Sequence, residues 1–312
     1  MMMRSLTLCL ALFLSVSAFT QPPSTPAKTI TFETNEGSWM SLDVAPNGEY
    51  LVFELLGDLY QLPIDGGEAK PIIKGRDFAS QPRFSPDGKQ LVFVSDRSGE
   101  DNLWLTNTDG SKLKQLSKLS DGELISPAWS RDGQIIYVSK LASRRSMTSN
   151  VEIWAYPVDG GEPKIINTPN MGTSAALVST FAPGAYGPQP SANKSELFFT
   201  AAAPRQSEPK ANPHTEIMRV NLHSGRTDTI SNHSVPAFKP QLSSDDKWLV
   251  YGALNGNKTG LRLRNLENNE ERWLIQDIGF SALESWASRD LLPGFSFNPV
   301  NDSLFIAYGG KI

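Results

Sequence analysis

Imidazole, thiol and clustered carboxylate are the side chains that would do chemistry here, and all are sparse. The histidines are His214, His223 and His233, nine and ten residues apart. A metal that activates water for hydrolysis needs a His-x-His pair or an equivalent close set. No pair here has that spacing, so the three are read as loop histidines. A serine nucleophile on a tight elbow needs Gly-x-Ser-x-Gly. The nearest stretch, Gly172-Thr173-Ser174-Ala175-Ala176, lacks the second glycine and falls in a Pro-, Ala- and Ser-rich connection. Asp87, Asp109, Asp132 and Asp159 stand in turn positions, where aspartate bonds its own backbone. They do not form the dense oxygen-ligand loop of a calcium site. Gly57, Gly66 and Gly67 read as turn glycines and do not match a phosphate-cradling loop. No residue is therefore assigned a catalytic, cofactor or metal role, and the chain is expected not to be an enzyme by itself. Arg144 and Arg145, in an insertion at 141–150, and His214, at the end of a long polar insertion at 201–214, are the candidate ligand or partner contacts.

The single cysteine, Cys9, sits in an apolar run at residues 5–19 that follows one positive charge, Arg4. With Val16-Ser17-Ala18 at its end, this stretch reads as an export signal over 1–18. It is too short to span a bilayer comfortably. A Pro-, Ser- and Thr-rich linker follows over 19–28. Removal of the signal leaves a chain without cysteine, which excludes disulfides and thiol chemistry. The 29 basic and 33 acidic residues give a net charge of −4. That balance offers no basic face for nucleic acid, and no membrane insertion is expected after cleavage. The location expected is the periplasm or the exterior.

What must position any functional residue is a repeat. Its clearest copy is Gln81-Pro82-Arg83-Phe84-Ser85-Pro86-Asp87-Gly88, then Leu91-Val92-Phe93-Val94, Leu103-Trp104-Leu105 and Asp109-Gly110. Turns of this kind fall near residues 46, 86, 131, 192, 244 and 299, from 40 to 61 residues apart. Short β-branched and aromatic runs between Asn-Gly or Asp-Gly turns are strands of an antiparallel meander. Such a sheet cannot bury both faces alone, and radial stacking of four-stranded units is a β-propeller. An all-β, six-bladed propeller over 29–312 is expected, its last unit stopping after two strands. The segment 28–34 looks like a strand without a unit of its own. An unfinished last unit suggests a chain cut from a longer protein.

The units resemble TolB-like (WD40-like, PD40) propeller repeats, whose hallmark is an aromatic-Ser-Pro-Asp-Gly-Lys turn, an apolar strand and Ser-Asp-Arg. Phe84 to Lys89 and Ser95-Asp96-Arg97 carry it. Turns four to six depart from it, with Ser191-Ala192-Asn193, Ser244-Asp245-Asp246 and Pro299-Val300-Asn301. Four further stretches resemble the N-terminal propeller of exported, metal-dependent amidohydrolases: Glu36 to Val44, Leu55 to Tyr60, Glu284 to Asp290 and Tyr308 to Ile312. That resemblance implies a hydrolase domain beyond residue 312 that would bind the divalent metal. Its partner would be that domain or another protein. The alternative is a stand-alone periplasmic TolB-like propeller that binds proteins.

Overall fold

Leu91-Val92-Phe93-Val94 shows why the chain folds as it does. Its side chains point alternately to two faces, and both faces are buried. Leu91 and Phe93 pack on the unit before, with Ala45, Val52 and Leu59. Val92 and Val94 pack on the unit after, with Leu124, Trp129 and Ile136. A strand with two apolar faces requires a sheet on each side, and repetition of that demand builds a ring.

The computed structural model describes residues 33–141, 151–166, 184–202, 215–231, 235–279, 290 and 292–312. Residues 36–312 form one unit by contact, and the structural statements below concern it. Its elements are strands, in six successive groups. The first holds β1 (Leu42–Val44), β2 (Tyr50–Leu55), β3 (Asp58–Pro63) and β4 (Lys70–Ile73). The second holds β5 (Ala79–Phe84), β6 (Gln90–Ser95), β7 (Asn102–Asn107) and β8 (Lys114–Gln115). The third is β9 (Glu123–Trp129), β10 (Ile135–Leu141), β11 (Val151–Pro157) and β12 (Lys164–Ile165). The fourth is β13 (Gly184–Pro190), β14 (Glu196–Ala202), β15 (Thr215–Asn221) and β16 (Thr227–Thr229). The fifth is β17 (Ala237–Leu242), β18 (Trp248–Asn255), β19 (Lys258–Asn265) and β20 (Glu271–Ile275), and the sixth β21 (Phe295–Phe297) with β22 (Leu304–Ile306).

Within each group, neighbours in sequence pair antiparallel. Groups three and four also touch through one parallel pair, Val151 with Gly184. The apolar core is distributed between successive groups, and it closes. Phe305 and Ala307 of the sixth group pack with Met40, Leu42 and Phe53 of the first. Gly294 N–H donates to Met40 O at 2.7 Å, and Gly37 N–H to Gly310 O at 2.8 Å. The ring thus runs from first group to sixth and back, which is the β-propeller that the repeat predicts.

Two expectations are refined. The second insertion begins later than residue 201, because β14 extends through Ala202. Of the segment 28–34, only Glu33 and Thr34 are described, and neither is in a strand.

Candidate functional site at the propeller axis

The innermost strands β5, β9, β13 and β17 each bend at an X-Pro step. Gln81, Ser126, Gly187 and Lys239 precede Pro82, Pro127, Pro188 and Pro240, and each has φ between 54° and 60°. The ladder slips register at these points. A bulge frees the proline from donating to the ladder and bends the strand. The freed N–H of the bulged residue then donates to the preceding group. Gln81 N–H reaches Ser41 Oγ at 2.9 Å, Gly187 N–H reaches Ser139 Oγ at 2.9 Å, and Lys239 N–H reaches Thr200 Oγ1 at 2.8 Å. Ser126 N–H donates to Gln81 Oε1.

One residue of every group faces the axis, and in the four bulged groups it is the second residue after the bulged one. By register these are Asp43 opposite Val52, Arg83 opposite Val92, Ala128 opposite Tyr137, Gln189 opposite Phe198, Gln241 opposite Val250 and Ser296 opposite Phe305. All six line one cavity of about 250 Å³. Its rim comes from the turns, with Pro46, Pro86, Arg131, Ser244 and Pro299.

One side of this ring is internally satisfied. Asp43 accepts from Ser296 Oγ and from Phe84 N–H, each at 2.9 Å. Arg83 Nη1 stands 3.8 Å from Asp43 and donates to Leu42 O at 2.6 Å. Burial raises the Asp43 carboxyl above its ordinary range, and the Arg83 charge and the Phe84 and Ser296 donors oppose this. The other side is open. Ala128 leaves a notch, and the half-buried side-chain amides of Gln189 and Gln241 have no hydrogen-bond partner among the described residues. At the rim Arg131 Nη2 spans to Ser243 O at 3.5 Å and stands 3.9 Å from Asp246. The arrangement offers planar donor–acceptor groups beside one guanidinium, which suits amide or carboxylate recognition.

The rim turns of the first five groups keep one geometry despite their different sequences. Ser85, Ser130 and Ser243 donate to Asp87, Asp132 and Asp245 at 2.6, 2.7 and 2.7 Å. In the fourth group Ser191 donates to Asn193 at 2.6 Å, and in the sixth Asn301 accepts from Ser303 N–H at 3.1 Å. Lys194 and Asp246 adopt φ of 62° and 60° where Gly48, Gly88 and Gly133 have 72°, 69° and 72°. The departures in turns four and five are therefore substitutions within a conserved shape, whereas in the sixth the left-handed residue is Asp302, whose N–H donates to Asn298 O four residues back.

The family model for the PD40, TolB beta propeller domain matches residues 28–183, half of the chain. The chain belongs to the TolB β-propeller family. Its fold is similar to that of a putative TolB from Agrobacterium tumefaciens, with TM-score 0.64 at 16% identity, over 89% of this chain and 92% of that one. Among curated relatives, the tricorn protease homolog 1 of Streptomyces coelicolor is 29% identical over 37% of this chain and 11% of its own length. The uncharacterized peptidase YuxL of Bacillus subtilis is 25% identical over 60% of this chain and 23% of its own. The chain thus spans less than a quarter of the length of either relative.

Arg144, Arg145 and His214 lie outside the described residues, as do His233, Cys9 and the Gly172 to Ala176 stretch. His223 is described, in the turn after β15, where its N–H donates to Asn221 Oδ1 at 3.1 Å. Among the described residues no group of three or more His, Cys, Asp or Glu is arranged to hold a metal. Sequence reading missed Arg83, Gln189 and Gln241 as site residues. The available signal was their common position, directly after the proline of each repeat.

Proposed function

We propose that this chain is the non-catalytic, six-bladed propeller part of an exported hydrolase and that its axial mouth holds a protein partner or the enzyme's own catalytic domain. The observation that carries the binding role is the ring at the axis. Every group contributes one residue to it, and two of those residues present side-chain amides with no partner among the described residues. These half-buried amides open onto the cavity, so a ligand there meets two donor–acceptor groups that no side chain of the described residues engages. The hydrolase assignment rests on the four stretches that resemble amidohydrolase propellers. It is supported by peptidase relatives that are more than twice as long as this chain. The divalent metal of such an enzyme would be held outside this chain, and export rests on residues 1–18.

The test is the native product, isolated from the exported fraction with an antibody against residues 36–312 and measured by intact mass. A species longer than residues 19–312, whose amide hydrolysis disappears on chelation, is the expected result. A native species of residues 19–312 alone would sink the hydrolase assignment. One observation favours the second reading, a stand-alone protein-binding propeller: the match to the Agrobacterium structure runs nearly end to end along that chain.

A further inference from the structure

A second, much smaller cavity adjoins the ring. Lined by the bulged residues Ser126, Gly187 and Lys239 and their prolines, it holds only about 20 Å³, room for roughly one water. Four polar side chains meet there, and all are buried: Gln81 at 1%, Ser126 at 7%, Lys239 at 4% and Asp290 at 5% exposure. An open channel would leave them wet.

The centre of this layer is an ion pair. Lys239 Nζ donates to Asp290 Oδ2 at 2.8 Å, to Leu292 O at 2.8 Å and to Pro293 O at 3.3 Å. All three ammonium protons are thus engaged, and the charge also stands 5.3 Å from the Phe295 ring. Ser126 Oγ donates to the other carboxylate oxygen at 3.2 Å. Asp290 precedes the sixth group, Lys239 belongs to the fifth and Ser126 to the third. The pair therefore ties three groups together across the axis.

We infer that the axial cavity is a blind well, floored by the Lys239–Asp290 pair with Ser126 and Gln81, and open only on the face of the Ser-x-Asp turns. It takes a chain end or a protruding side chain tip-first, and it does not let an extended segment thread through. The partner's identity rests on the function proposed above, but the closure of the well does not.

Single cysteines test it, because Cys9 is the chain's only native one. In the full chain carrying Cys9→Ser, a thiol is introduced either in the ring, as Gln241→Cys, or in the floor, as Ser126→Cys. Each is treated with a small, positively charged methanethiosulfonate reagent. The ring thiol is expected to react at least about tenfold faster than the floor thiol, since thiol modification follows exposure. Combining Ser126→Cys with Lys239→Met and Asp290→Ala removes both charges together, so that neither is left buried alone. Reaction at the floor should then rise at least about tenfold, with thermal melting confirming a folded protein. Equal rates for ring and floor in the otherwise unaltered chain would overturn the inference. A folded triple variant with its floor still shielded would overturn the role of the ion pair. Should the triple variant not fold, the ring-to-floor comparison decides alone. No partner is needed, so failure here leaves the proposed function standing, and failure of that function leaves the well.

Discussion

Gln189 and Gln241 have a property that separates binding from stability. Their side-chain amides have no intramolecular partner among the described residues, so truncating them removes nothing that holds the ring together. Gln189→Ala with Gln241→Ala should change unfolding free energy by no more than about 0.5 kcal/mol each, as for ordinary surface positions. The same variant should lose capture of its partner from the exported fraction, read by pull-down beside urea unfolding. Loss of stability instead would show that the amides are structural. Asp43 is the opposite case, since its carboxylate holds Ser296 across the closing junction and Phe84 N–H of the second group. Asp43→Ala should destabilise by about 1–3 kcal/mol, the cost of leaving buried donors unpaired.

At the scale of the element, the Ser-x-Asp turn explains a pH dependence. Asp87, Asp132 and Asp245 are held below the ordinary carboxylate range, first by the serine hydroxyl and then by the backbone N–H two residues on. A carboxylate lowered in the folded state adds stability above its unfolded pKa and loses it as pH falls through the folded value. Asn193 makes the same turn without a charge, so asparagine is compatible with the geometry. The triple variant Asp87→Asn, Asp132→Asn, Asp245→Asn should therefore lose less stability than the parent between about pH 4 and pH 2. Urea unfolding at both pH values measures this, and an unchanged difference would refute it. These turns were readable from sequence in the first three groups, where Asn-Gly or Asp-Gly marks them. They were obscured in the last three, because Lys194, Asp246 and Asp302 take up a left-handed backbone that glycine usually signals.

At the scale of the whole molecule, closure depends on a close approach of backbones. A Cβ on Gly294 would stand 2.3 Å from the Leu42 amide nitrogen and collide with Ser41 as well. Gly294 N–H also makes the bond to Met40 O that joins the sixth group to the first. Gly294→Ala should cost about 1–3 kcal/mol, as overpacking does in a filled core. Loosening should concentrate at the first and sixth groups, which hydrogen exchange would resolve. Protection lost evenly around the ring would argue that the junction is no weaker than the rest.

Sequence by itself determined the strands, their grouping and the need for a ring, because these follow from local rules. Side-chain alternation fixes which faces of Leu91-Val92-Phe93-Val94 are apolar, and turn chemistry fixes where a meander reverses. The prolines at 82, 127, 188 and 240 were equally visible, but their meaning was not. Only the tertiary structure decided that each forces a bulge at the innermost strand, and that the next residue but one from Gln81, Ser126, Gly187 and Lys239 faces the axis. Asp43, Arg83, Gln189, Gln241 and Ser296 are up to 253 residues apart in contact, and no local pattern relates them. The same holds for Lys239 and Asp290, 51 residues apart, which meet because stacking of the groups brings the bulge of β17 against the segment that leads into β21. Local propensity acts over a few residues, whereas an axis exists only once the ring has closed.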